Sequence, residues 1–95
     1  MERNFLVIEN VTKSKIIKKE SVDGHDLNLL HPDEDKWIIT RKGNIIGLIS
    51  LLPLPTKRYL LELEYSQDGY TLVEDFDSLE DAWNNVKGYI SYFKL

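Results

Sequence analysis

One segment decides the fold: Phe76-Asp77-Ser78-Leu79-Glu80-Asp81-Ala82-Trp83, in which a strand-like run ends and an amphipathic helix begins. Two pairs, Asp77 with Glu80 and Ser78 with Asp81, have the spacing of a helix-capping box. Apolar residues then recur at helical spacing to the end of the chain: Leu79, Ala82, Trp83, Val86, Ile90 and Phe93. A helix with one apolar stripe must dock on other structure, and the preceding residues predict a sheet.

The sheet is predicted from apolar runs separated by turn residues. Residues 37–40, 45–51, 59–65 and 70–75 each have strand composition. A turn containing Gly43 and Asn44, which tolerate positive φ, separates the first two runs, and residues 66–69 form a hairpin turn ending in glycine. These short turns favour antiparallel pairing of the strands that they join, and the last strand leads directly into the helix.

The N-terminal third is less regular. Residues 5–11 read as a first strand, and residues 13–19 as a second strand or an irregular arm. Residues 21–35 are predicted to be a loop, because Asp23-Gly24 marks a turn and Pro32 interrupts a polar stretch. Three leucines within this loop should pack against the core: Leu27, Leu29 and Leu30. The prediction is a single α+β domain over residues 1–95, with an antiparallel sheet of three to five strands and one C-terminal helix packed across one face.

Several predicted strands are apolar on both faces, for example at residues 37–39 and 45–49. A half-solvated strand would alternate apolar and polar residues. One helix covers one face, so the other face also needs cover. The candidates are the N-terminal segment, a second copy of the chain in a homodimer, or a partner protein.

Composition limits the compartment and the chemistry. The chain has no cysteine, which excludes disulfides and thiolate catalysis. Its longest apolar run, residues 45–54, is about half the length of a membrane helix, and no signal peptide is evident, so we expect a cytoplasmic protein without membrane association.

No pattern typical of an active site is present. The serines lack a Gly-x-Ser-x-Gly elbow, and the glycines form no phosphate-binding loop. His25 and His31 lie among acids but match no zinc spacing. We therefore expect a non-enzymatic protein without a metal or cofactor.

Charge is distributed unevenly along the chain. Residues 1–58 carry ten Lys/Arg against eight Asp/Glu, whereas residues 59–95 carry two Lys against eight acids. One acidic stretch without a base contains Asp68, Glu74, Asp75, Asp77, Glu80 and Asp81. Helix capping explains part of this stretch; the functional reading is a face that docks on a basic protein surface. In composition the chain resembles phage-encoded inhibitors of host proteins, which implies a basic, nucleic-acid-handling target in the host cytoplasm.

Two alternatives remain open. Basic turn residues (Arg41, Lys42, Lys57 and Arg58) could contact nucleic acid, with strand aromatics stacking on bases. For Trp37, Tyr65 and Trp83, however, we expect a core role. The third function class is a self-associating structural module that buries the second face of the sheet.

Overall fold

The computed structural model of the chain describes residues 15–53, 55, 57–64 and 71–93. Within these residues, six strands are followed by one helix, with these bounds: β1 Ile16–Val22, β2 His25–Asp33, β3 Lys36–Arg41, β4 Asn44–Leu52, β5 Arg58–Glu64, β6 Thr71–Phe76 and α1 Leu79–Phe93. Each strand pairs antiparallel with the next, so the order in the sheet is the order in the chain. The predicted α+β architecture is confirmed, but the sheet has six strands rather than three to five.

The main error concerns residues 21–35, which contain strand β2 rather than a loop. Leu27 and Leu29 do reach the core, but as alternate residues of a strand paired with β3. Pro32 lies where the β2–β3 register shifts, between Leu30 and Asp33. A proline is tolerated near such an irregularity because the ladder is already interrupted there.

Strand β1 begins three residues later than the strand predicted over residues 13–19. It forms a hairpin with β2 through Asp23 and Gly24, whose φ angles are 51° and 83°. Positive φ at both central residues is typical of a type I′ turn, whose twist matches that of the flanking strands. The strand predicted over residues 5–11, and its pairing with the next strand, lie outside the described residues.

Strands β3 to β6 confirm the remaining predictions within one or two residues at each end. The β3–β4 turn places Lys42 and Gly43 at positive φ, 54° and 77°, rather than Gly43 and Asn44. The hairpin turn predicted at residues 66–69 and the aromatic residue Tyr65 lie outside the described residues. Trp37 and Trp83 are buried, as expected.

Helix α1 buries the stripe that its spacing predicts, with Ala82, Trp83, Val86 and Ile90 in the core. The helix contacts β5 and β6, and also β1 at the opposite edge of the sheet. Six strands at about 4.8 Å spacing are wider than a helix of about 10–12 Å diameter. The sheet therefore curves around α1, and the core fills the space between the concave face and the helix.

Strand register assigns residues to two faces of the sheet. The face toward α1, here called the helix face, carries the core residues Leu29, Ile39, Ile49 and Leu61. The opposite face, here called the second face, carries Leu30, Ile38, Leu48 and Leu60 among other residues. Both faces bear large apolar side chains, as the sequence indicates.

Candidate protein-interaction surface

Four acidic residues converge where β6 ends and α1 begins: Asp75, Asp77, Glu80 and Asp81, here called the acidic corner. All four are exposed. The local sequence determines this arrangement, because buried Phe76 fixes the end of β6 and the next two residues turn the chain into the helix.

Ser78 is the N-cap of the helix. Its Oγ accepts a hydrogen bond from the backbone N–H of Asp81 at 3.1 Å, and its carbonyl oxygen accepts one from Ala82 at 3.2 Å. Of the two predicted capping pairs, the structure therefore uses Ser78 with Asp81. The carboxylates of Glu80 and Asp81 lie in the first helical turn, where the helix macrodipole favours negative charge.

Arg58, at the start of β5, lies beside the acidic corner. Its Nε donates to Asp75 Oδ2 at 2.9 Å, and its Nη1 donates to Asp77 Oδ1. The hydrogen bond from Arg58 lowers the pKa of Asp75, and the same bond raises the pKa of the guanidinium. The side chain of Asp77 is 79% exposed and that of Arg58 only 28%, so the carboxylate stands outside its cation.

Glu80 forms a second exposed ion pair, with Lys18 Nζ of strand β1 at 3.4 Å. Two cations, Arg58 and Lys18, thus adjoin the four carboxylates of the acidic corner. Four carboxylates against two cations leave the corner with a net negative charge. Solvent screens exposed pairs of this kind, so they add little to the stability of the fold.

The two other predicted acidic residues are not part of this corner. Glu74 lies on the helix face of β6, where its carboxylate accepts a hydrogen bond from the hydroxyl of Tyr89. This bond, together with desolvation, raises the pKa of Tyr89. Asp68 lies outside the described residues.

A polar cluster that sequence reasoning missed joins β1 to the helix. Glu20 accepts hydrogen bonds from Trp83 Nε1 at 3.1 Å and from Lys87 Nζ at 2.8 Å. The lysine bond, followed by the tryptophan bond, lowers the pKa of Glu20. These partners are more than 60 residues apart in sequence, and no local pattern indicates such a pair.

The four basic residues of the nucleic-acid alternative do not form one patch. Arg41 is buried on the helix face, where its guanidinium donates to the carbonyl of Val22. Lys42 is exposed in the β3–β4 turn, at the opposite end of the sheet from Lys57 and Arg58. Strand β4 alone separates these ends by about 26 Å at about 3.3 Å per residue.

Both histidines lie in strand β2. His31 stacks on Trp37 with ring centroids 4.7 Å apart, and its Nε2 lies 3.3 Å from the carbonyl oxygen of Glu34. Among the residues that the structure describes, no three His, Asp or Glu side chains are grouped so that they could hold a metal ion. In the same part of the chain, no helix is long and apolar enough to cross a membrane.

Comparison of the chain with protein-family models, with curated proteins and with solved structures found no match.

Proposed function

We propose that the chain is a small, non-enzymatic binding module whose acidic corner docks on a basic surface of another protein. The observation that carries this proposal is the unequal exposure at Arg58: its side chain is 28% exposed, whereas those of its partners Asp75 and Asp77 are 50% and 79% exposed. Charges arranged in this way present a negative potential to an approaching partner.

The placement of the corner at the junction of two regular elements supports the same function. Strand β6 and helix α1 hold the carboxylates, and the Ser78 cap fixes the turn between these two elements. Charged groups that are already positioned lose little side-chain entropy on binding. The composition of the chain supports a narrower version, in which it inhibits a basic, nucleic-acid-handling protein of a host cell.

Affinity capture with three baits tests the proposal. The baits are the wild-type chain, an acidic-corner variant (Asp77→Asn, Glu80→Gln, Asp81→Asn) and a control variant (Asp23→Asn, Glu62→Gln, Glu64→Gln). The control residues are exposed acids outside the corner, so both variants change net charge by the same amount. Capture is made from lysate of the native or host cell, in nuclease-treated and untreated duplicates, and quantified by mass spectrometry.

The proposal predicts one basic protein captured in stoichiometric amount by the wild-type and control baits, depleted from the acidic-corner bait and unaffected by nuclease. Equal capture by both triple variants, with circular dichroism showing an intact fold, would contradict it. Capture that disappears with nuclease would favour nucleic-acid binding instead. Recovery of the bait alone, as a dimer in sedimentation, would favour a self-associating module.

A further inference from the structure

Three aromatic rings meet at the end of the sheet that carries the acidic corner. His31 lies flat on Trp37, with ring centroids 4.7 Å apart and an interplanar angle of 8°. Tyr59 adjoins the same indole at 5.6 Å, with its ring tilted by 56°. These three residues, here called the aromatic cluster, come from strands β2, β3 and β5. Strands β3 and β5 are not neighbours, so the rings of Trp37 and Tyr59 meet because the sheet curves around α1.

Solvent reaches the aromatic cluster at its two outer rings. Trp37, in the middle, is only 6% exposed, whereas His31 is exposed and Tyr59 is half-buried. The outer rings therefore present aromatic surface that a ligand can contact. Leu51, which is also half-buried, pairs with Tyr59 across strands β4 and β5 and extends the apolar surface beside its ring.

Strand register places Tyr59 beside the acidic corner. Tyr59 pairs directly with Phe76, and the residue after Phe76 is Asp77. Paired Cα atoms of an antiparallel sheet are about 4.5–5.5 Å apart, and the step to the next residue adds about 3.8 Å. The ring of Tyr59 and the carboxylate of Asp77 are thus within reach of one long side chain.

The carboxylate of Asp77 retains capacity to accept hydrogen bonds. Arg58 donates to one of its oxygens, Oδ1, and the Asp77 side chain remains 79% exposed. Because an ionised carboxylate has about four lone-pair sites, it can accept further donors from a bound ligand.

We propose that the aromatic cluster and the acidic corner form one binding site for an arginine side chain of the partner protein, an inference that rests on the proposed function. A guanidinium group matches both parts of this site. Its planar donors pair with the carboxylate of Asp77, and its flat face stacks on the ring of Tyr59. The methylene stem of the arginine packs on Leu51. A lysine ammonium pairs with the same carboxylate, but it is more strongly hydrated and has no flat face to stack.

The aromatic cluster adds what the acidic corner lacks. Exposed charge pairs bind weakly because water and salt screen them. Tyrosine and arginine are enriched among the few residues that dominate the binding energy of protein interfaces. The stacked pair is therefore the anchor of the interface, and the remaining carboxylates of the corner form its charged rim.

NMR titration of the full chain with short peptides tests this proposal. The probes are blocked peptides in which glycine alternates with arginine, with lysine or with citrulline, which has the shape of arginine without its charge. Shifts of the backbone amide signals give the Kd of each peptide. Tyr59→Leu removes the stacking ring, and Tyr92→Leu removes a 79% exposed tyrosine near the other end of α1 as the matched control. The acidic-corner variant described above is titrated in parallel.

The expected Kd of the wild-type chain for the arginine peptide is about 2- to 5-fold lower than for the lysine peptide, and the citrulline peptide should bind more weakly than either. The preference for arginine should persist in Tyr92→Leu and disappear in Tyr59→Leu. Comparison of the two cationic peptides on the wild-type chain does not depend on the folding of any variant.

Three results would overturn the inference: equal Kd values of the wild-type chain for the arginine and lysine peptides, a preference for arginine that survives in Tyr59→Leu, or no shift with the arginine peptide at millimolar concentration. Failure of the proposed function has a different signature, because the acidic-corner variant would then bind both cationic peptides as tightly as the wild-type chain. Weaker binding of both peptides by that variant, without a preference of the wild-type chain for arginine, would overturn the inference alone.

Discussion

Alanine substitutions at two glycines should change stability in opposite directions, although the chemical change is the same. Gly47 lies in strand β4 on the helix face, and a Cβ atom there would lie 2.9 Å from the backbone oxygen of Glu62. The same atom would lie 3.1 Å from Leu63 Cδ1 and 3.2 Å from Ile39 Cδ1. A backbone oxygen in a central strand pair cannot move without disturbing the sheet, so Gly47→Ala should lower the free energy of unfolding by about 1–3 kcal/mol.

Gly88 lies on the exposed side of helix α1, and a Cβ atom there would meet nothing within 4 Å. Its φ angle is not positive, so alanine fits the backbone without strain. Gly88→Ala should raise the free energy of unfolding by about 0.5–1 kcal/mol, because glycine is a poor helix former and loses more backbone entropy on folding.

Urea denaturation, followed by circular dichroism, measures both effects. The two variants should differ in stability by about 1.5–4 kcal/mol, with the same dependence on urea concentration, since neither substitution alters the surface exposed on unfolding. Gly47→Ala with wild-type stability would refute the close packing of β4 against β5. A loss of stability in Gly88→Ala would refute the open placement of that glycine.

Three further substitutions test individual hydrogen bonds. Ser78→Ala should cost about 1 kcal/mol in urea denaturation, because the amide of Asp81 loses its capping acceptor; an unchanged midpoint would argue against the cap. The lowered pKa of Glu20 means that its bonds stabilise the fold above the ordinary pKa of 4.5, and that this stability is lost as pH falls through the lower folded value. Glu20→Gln should therefore reduce the loss of stability between pH 6 and about pH 3, and an identical pH profile would contradict this role. The raised pKa of Tyr89 gives the opposite pH dependence. The stability contributed by its hydrogen bond to Glu74 is complete below the ordinary pKa of 10.0 and is lost as pH rises through the higher folded value. Tyr89→Phe should lose less stability than wild type between pH 9 and pH 11. An equal loss of stability in the two proteins over this range would contradict the hydrogen bond from Tyr89 to Glu74.

Much of the C-terminal half was predictable because local signals there agree with one another. Helix α1 has a cap, first-turn acids and an apolar stripe, and the structure uses all three. Strands β3 to β6 are bounded by turn residues at short intervals, so their limits follow from composition alone.

Strand β2 was missed because its signals conflict. Pro32 and a surplus of polar residues indicate a loop, whereas the buried residues Leu27 and Leu29 have the alternation of a strand. In the folded chain the segment is a strand, because it pairs with β1 on one side and with β3 on the other. Such tertiary stabilisation overrides local preference and cannot be read from a single segment.

The candidate surface was predictable in composition but not in arrangement. The sequence indicates the acids around residue 77, but the position of Arg58 between Asp75 and Asp77 depends on the β5–β6 register. In the same way, the burial of Arg41 follows from its place on the helix face opposite Leu27. Both facts depend on the pairing of strands, which sets the surroundings of each charge.

The most direct test of the acidic corner as a docking surface is titration calorimetry of the captured partner, purified, against the two triple variants. Removal of three exposed charges, at about 0.5–1 kcal/mol of binding free energy each, should raise the Kd about 10- to 150-fold. The acidic-corner variant should show this loss, and it should shrink in high salt, while the control variant stays within about twofold of wild type. Equal affinity of the two variants for the partner would contradict docking through the acidic corner.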